Sequence, residues 1–246
     1  MFEQKVVLVT GGSSGIGQAV CIRLAAYGAK VIVHYSNSKA GAEYTLNCIR
    51  EQGGEGYIVQ ADVSSEEEVK HMIVLAMQRY GELHYVVNNA GATEQWPLEN
   101  LDGIPDEVWD RLFAVNVKGM FYVAKAARAY LIQQEDSAIV NVGSVAGTSG
   151  IGSSLPYAVS KAAVHGLTKS LAFALAPHVR VNAIAPGAVD TRWWAGHEEK
   201  MRRLSGDMLL KRISTPEDIA ESICAMLVQR SLTGQIITVD NGQTMA

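Results

Sequence analysis

The sequence predicts an α/β protein built on one parallel sheet covered by helices on both faces. Three observations carry this reading. Short β-branched runs alternate with longer helical patterns along the whole chain. The runs are apolar throughout instead of alternating with polar residues, as strands buried on both faces require. Turn-forming residues gather after the runs and not inside them. The 246 residues, 48% of them apolar, suffice for one large core, and no linker, repeat or low-complexity stretch divides it. The chain is therefore read as one domain, residues 1–246.

The elements follow in order. KVVLVT (5–10) reads as a strand and IGQAVCIRLAAYG (16–28) as a helix closed by Gly28. KVIVHY (30–35) is a second strand, followed by a helix to about Gln52. GYIVQA (56–61) is a third strand, and an acidic helix from Ser65 to about Tyr80 follows, with Ser64 or Ser65 a better cap than Asp62. LHYVVN (83–88) is a fourth strand, and a long helix is expected over 106–134. SAIVNV (137–142) is a fifth strand and 155–176 another long helix. VRVNAI (179–184) is a sixth strand, and 190–213 reads as irregular. Thr215 and Pro216, a cap and a first-turn proline, open a helix over 216–229, and QIITV (235–239) closes the pattern.

Composition excludes several functions. Charged residues make up 19% and the net charge is −4, with no Lys/Arg block to form a nucleic-acid or anionic-membrane footprint. The N-terminus, charged and then glycine-rich, is no signal peptide, and no apolar run approaches a membrane span. Cys21, Cys48 and Cys224 are scattered and odd in number, which fits small buried hydrophobes in a reducing cytoplasm. The six histidines show no metal-ligand spacing, so no metal is expected.

Polar punctuation falls repeatedly on one sheet edge. TGGSSGIG (10–17), DVS (62–64), NNAG (88–91), GSVAG (143–147) and PGAVDT (186–191) each follow a strand. Open parallel sheets bind ligands outside the carboxyl ends of their strands, so five such loops describe one crevice. In the first, Gly11, Gly15 and Gly17 bracket a strand-to-helix turn. Such a turn lets backbone N–H groups and the helix dipole face a pyrophosphate. The spacing differs from the common G-x-G-x-x-G, and a glycine-rich turn by itself is weak evidence. Tyr157 and Lys161 stand four apart, one helical turn, on one face. A phenol of ordinary pKa near ~10 is a poor base at neutral pH, and a neighbouring cation lowers that pKa.

TGGSSGIG, NNAG, YAVSK and PGAVDT, in this order and spacing, resemble the short-chain dehydrogenase/reductase family over essentially the whole chain. The resemblance implies a Rossmann-like, doubly wound, seven-stranded sheet and an NAD(P)-dependent oxidoreductase. It assigns catalysis to Asn116, Ser144, Tyr157 and Lys161. Tyr157 would be general acid in reduction and general base in oxidation, with Lys161 depressing its pKa and holding cofactor ribose hydroxyls. Ser144 would bond the substrate oxygen. Asn116, a poor mid-helix residue, would mark a kink and support a proton relay through Lys161. Many family members carry a serine where this chain has Gly143.

Cofactor contacts are implied for Gly11, Ser13, Ser14, Gly15, Ile16 and Gly17 in the first loop, with Tyr157 and Lys161. Ser36 and Asn37 follow strand two, Asp62 and Val63 border the adenine, and Asn89, Ala90 and Gly91 its ribose side. Pro186, Gly187, Val189 and Thr191 reach the nicotinamide end. The place of an NAD-selecting acid is Tyr35, followed by Ser36, Asn37, Ser38 and Lys39, so NADP(H) is expected and NAD(H) is the alternative. No arginine clamp appears, since Ser14 fills a loop position that is often basic.

Residues 190–213 are expected to form a substrate lid in which Trp193 and Trp194 either cover the substrate or pack the lid down. Thr93–Trp96 would face it. A 3-oxoacyl carrier-protein reductase resembles the chain in activity, but Glu135, Asp136 and Phe173 stand where a basic carrier-protein surface is expected. A general carbonyl or alcohol substrate is therefore preferred. A non-catalytic dinucleotide sensor is the contrasting class, disfavoured by the full Asn–Ser–Tyr–Lys set. The helices at 106–134 and 155–176 are apolar on more than one side. The resemblance pairs them across a twofold axis, implying a homotetramer of 222 symmetry, or a dimer.

Overall fold

The structure, a computed structural model, describes residues 1–192, 196, 198–205 and 208–245. Seven strands form one sheet: β1 (Val6–Val9), β2 (Lys30–Tyr35), β3 (Glu55–Gln60), β4 (Tyr85–Asn88), β5 (Ala138–Val142), β6 (Arg180–Pro186) and β7 (Ile236–Val239). They lie in the order β3-β2-β1-β4-β5-β6-β7, and every pairing is parallel. The chain winds outward from β1 to β3 and then returns to place β4 beside β1. The crevice at that reversal is where doubly wound sheets bind ligands.

Strand periodicity sorts the core into two layers. Val7 and Val9 of β1 pack with α1 (Gly15–Ala26), α2 (Lys39–Glu51) and α9 (Pro216–Val228). Val6 and Leu8 face the opposite way, toward α3 (Glu66–Tyr80), α5 (Gly119–Leu131) and α7 (Leu155–Leu175). Both faces are covered, which explains why the strands are apolar at successive positions. Helix starts follow the expected chemistry. Ser65 accepts from the Glu68 amide, and Thr215 with Asp218 forms a reciprocal capping box. Asp62 instead accepts from the amide and hydroxyl of Ser64.

Two expectations are corrected, for residues 190–213 and for Asp136, and a third is refined: the long helix over 106–134 is interrupted at the expected Asn116 kink, giving α4 (Asp106–Phe113), a π turn (Ala114–Lys118) and α5. Its cause is tertiary: Asn116 turns fully inward and bonds outside its own helix. Residues 190–213 are not irregular throughout, because α8 (Glu198–Ser205) lies within them. That helix is two turns long and mostly charged, so its apolar signal is thin, although Met201 is buried with Ala188 and Met208. Trp193 and Trp194 lie outside the described residues. Asp136, read as a surface acid, pairs with Arg180 at 2.9 Å and accepts from the Tyr85 hydroxyl at 3.0 Å. Its charge is answered within the chain. A short α6 (Ala146–Ser149) also follows β5.

Candidate active site

The site begins at the turn between β1 and α1. The Gly11 amide donates to His34 Nδ1 at 3.0 Å and the Gly12 amide to the His34 carbonyl at 2.8 Å. From the other side, Asn89 Nδ2 donates to the carbonyls of Thr10 and Gly11 at 2.9 and 3.1 Å. The turn is thus held by β2 and by the loop after β4. Gly11 has φ +66°, and a Cβ on Gly17 would stand 2.3 Å from the Gly11 carbonyl oxygen. Only glycine tolerates that approach.

The next amides are left for something else. Ser38, Ser65, Ser154 and Thr215 each cap their helix through the side chain. Ser14, at the cap of α1, is extended and makes no such bond. The first turn of α1 therefore presents amides without a side-chain acceptor, together with the positive end of the helix dipole. This cradle fits a diphosphate.

On the opposite side of the reversal, Ser154 caps α7 and sets Tyr157 in its first turn. Lys161 follows one turn later, 3% exposed, with Nζ donating to the Val142 carbonyl at 2.8 Å and lying 5.8 Å from the Tyr157 ring centre. Ser144, just beyond β5, hydrogen-bonds the Tyr157 hydroxyl. The missing Cβ of Gly147 lets α6 approach α7, since a Cβ there would lie 2.6 Å from the Lys161 carbonyl carbon. Asn116 accepts from the Ala92 amide at 2.7 Å and donates to the Ala92 carbonyl and to Ser160 Oγ, each at 3.0 Å. It joins the π turn, the loop after β4 and α7.

The electrostatics correct one expectation. Burial pushes the Tyr157 phenol up to about 12, opposed by its Ser144 bond. Lys161 is not among the influences that set this shift, and burial lowers its own pKa to about 8. Desolvation penalises both charged forms and outweighs the attraction expected from i,i+4 spacing.

One cavity of about 850 Å³ collects these parts. It is lined by Gly11, Ser13, Ser14, Gly15 and Ile16 at the turn, and by Ser36, Asn37, Asp62 and Val63 beyond β2 and β3. Asn89, Ala90, Gly91, Ser144, Tyr157, Lys161, Pro186, Gly187, Val189 and Thr191 complete the expected set. Gly17 and Asn116 do not line it; they stand behind the turn and behind Ala92. The sequence reading missed His34, Ala92, Arg111, Arg192, Gln243 and Thr244, which also line it. His34 carried a signal, a polar residue inside an apolar strand. Arg111, which pairs with Glu94 across the loop after β4, carried none.

Comparison with known proteins agrees with this fold. The short chain dehydrogenase family model matches residues 5–202. The Bacillus subtilis short-chain dehydrogenase/reductase homolog YusR is 61% identical over 129 residues, 52% of this chain and 100% of that protein. The 3-oxoacyl-acyl-carrier-protein reductase FabG of Staphylococcus aureus is 35% identical over 245 residues, 98% of each chain. The crystal structure of levodione reductase superposes with a TM-score of 0.92 at 29% identity, covering 100% of both chains. The chain belongs to the short-chain dehydrogenase/reductase family and is an NAD(P)-dependent oxidoreductase of carbonyl and alcohol groups.

Proposed function

We propose that the chain interconverts a carbonyl and an alcohol with Tyr157 as the proton-transferring group. The observation that carries this is the Ser144–Tyr157 hydrogen bond, set beside Lys161 in the cavity that begins at the glycine turn. The nicotinamide cofactor supplies or accepts the hydride. At neutral pH the Tyr157 phenol keeps its proton, being pushed up to about 12, and so is ready to donate to a substrate oxygen in reduction. Ser144 orients that phenol and offers a second bond to the same oxygen. Lys161 places its ammonium one turn away and holds cofactor hydroxyls. Asn116 fixes the Ala92 loop and Ser160 and supports proton exchange through Lys161.

NADP(H) is the preferred cofactor and NAD(H) the alternative. Ser36 and Asn37, hydroxyl and amide, line the cavity beyond β2 where a selecting acid would repel a phosphate. The relevant comparison is kcat/KM for the two reduced cofactors, and a tenfold preference for NADH contradicts the assignment. The preferred substrate is a small ketone, sugar or steroid, with 190–213 as its lid. A 3-oxoacyl thioester is the second reading, favoured by the activity named for the staphylococcal relative. NADPH oxidation against a panel of ketones and acetoacetyl thioesters decides: turnover confined to the thioesters reverses the preference. Phe121 and Val159 are each 41% exposed and Phe173 88%, on α5 and α7. These apolar faces support a homotetramer, with a dimer as the second possibility, and light scattering reads the mass. The cytoplasm is the compartment proposed.

A further inference from the structure

His34 is the one histidine lining the cavity among the described residues, and it is 1% exposed. Its bonds define its protonation. The partner of Nδ1 is the Gly11 amide, at 3.0 Å. A backbone amide can only donate, so Nδ1 must carry no proton. Nε2 lies 2.9 Å from the Ala61 carbonyl, which can only accept, so the ring hydrogen sits there. The ring thus ties the glycine turn to the end of β3, while the His34 carbonyl takes the next amide, Gly12, at 2.8 Å. With Asn89 holding the carbonyls of Thr10 and Gly11, His34 completes a two-sided clamp. The clamp spends the amides of Gly11 and Gly12 inside the protein and leaves those of the α1 first turn to a ligand.

We propose that neutral His34, in its Nε2–H form, is the positioning residue of the phosphate-binding turn, and that its protonation releases the turn and weakens dinucleotide binding. This rests on the dinucleotide-binding reading above. A protonated ring is a donor at both nitrogens, so Nδ1–H would face the Gly11 N–H. One of two donors is then left buried without an acceptor, or the turn moves. Burial lowers the His34 pKa and so keeps the ring neutral at pH 7. Asp62, on the loop after β3, is the charged group acting on it and opposes that shift, as does the Ala61 bond. Tyr35 precedes that loop's contact, its carbonyl accepting from the Ala61 amide at 3.1 Å.

The test is dissociation constants for NADH and NADPH, by nucleotide fluorescence, from pH 8 down to 5.5. NADH is the decisive arm, because a phosphate monoester such as the 2′-phosphate of NADPH titrates near ~6 by itself. The native chain is expected to lose NADH affinity progressively as the pH falls toward 5.5, the loss tending toward about tenfold, the effect of one buried donor left unmatched. His34→Asn offers an acceptor that does not titrate and is expected to flatten the profile. His34→Leu, with no acceptor, is expected to weaken binding about tenfold already at pH 8. An equal fall in His34→Asn, or a flat native profile over this range, overturns the proposal and leaves the oxidoreductase reading standing. Absence of binding at pH 8 overturns both. Long-range ¹⁵N–¹H spectra of the native chain give a readout independent of any variant: a hydrogen on Nδ1 at pH 7.5 also overturns the proposal.

Discussion

Replacing Lys161 by Met is expected to change how stability depends on pH, and the size follows from the site. Burial brings Lys161 from its ordinary 10.5 down to about 8. Between those values the unfolded chain binds a proton at this position and the folded chain does not. Stability therefore rises with pH through that window, and the penalty for holding the ammonium is full below about 8. The slope is about 1.4 kcal/mol per pH unit, so the span from pH 8 to 9.5 amounts to roughly 2 kcal/mol. Tyr157 acts in the opposite sense, its raised pKa removing stability between 10 and about 12, so measurements stop at pH 9.5. Met fills a similar volume and does not titrate. It leaves the Val142 carbonyl unpaired, a cost that does not vary with pH. Urea unfolding of both proteins at half-unit steps from pH 7 to 9.5 is the assay. The native chain should gain roughly 2 kcal/mol relative to Lys161→Met over that range. Parallel curves would refute the reasoning, since they would mean that burial does not depress Lys161. The same titration should appear as a limb near pH 8 in the native kcat/KM profile.

Two glycines give further expectations. A Cβ on Gly143 would stand 2.8 Å from His165 Nε2 and 3.1 Å from the Ile184 carbonyl, so Gly143→Ala should cost about 1–3 kcal/mol, seen as a lower Tm. Adding His165→Ala should recover a large part of that loss; strictly additive effects in the double-mutant cycle would contradict the clash. Gly17→Ala places its Cβ 2.4 Å from Asn89 Nδ2 as well as against Gly11, and should weaken dinucleotide binding by more than about tenfold in a fluorescence titration. Affinity within a factor of about two of native would show that the turn is looser than its packing indicates.

What was legible in the sequence is what depends on near neighbours. Tyr157 and Lys161 share a helical face, Thr215 and Pro216 open α9, and strand positions follow from apolar runs in which both faces are buried. What was hidden depends on partners distant along the chain. The π turn exists because Asn116 bonds Ala92 and Ser160, 24 and 44 residues away. Asp136 is neutralised by Arg180, 44 residues on. The sign of the Tyr157 shift depends on how deeply the finished fold buries the phenol, and spacing alone favoured the opposite sign. His165 stands opposite Gly143, where a serine is common in relatives by resemblance. That accounts for the glycine sterically, and no periodicity announces it.

The central claim is that the Tyr157 hydroxyl moves the proton, beyond any contact Tyr157 makes with the cofactor. Tyr157→Phe keeps the ring that packs on Gly152, whose missing Cβ would lie 3.1 Å from Tyr157 Cδ1, and removes only the hydroxyl. Measuring kcat for carbonyl reduction and the NADPH dissociation constant on the same preparation tests the claim most directly. The account predicts a fall in kcat of about 100- to 10,000-fold with the dissociation constant within about threefold of native. A variant that retains native kcat, or one that loses cofactor binding and catalysis together, would contradict it.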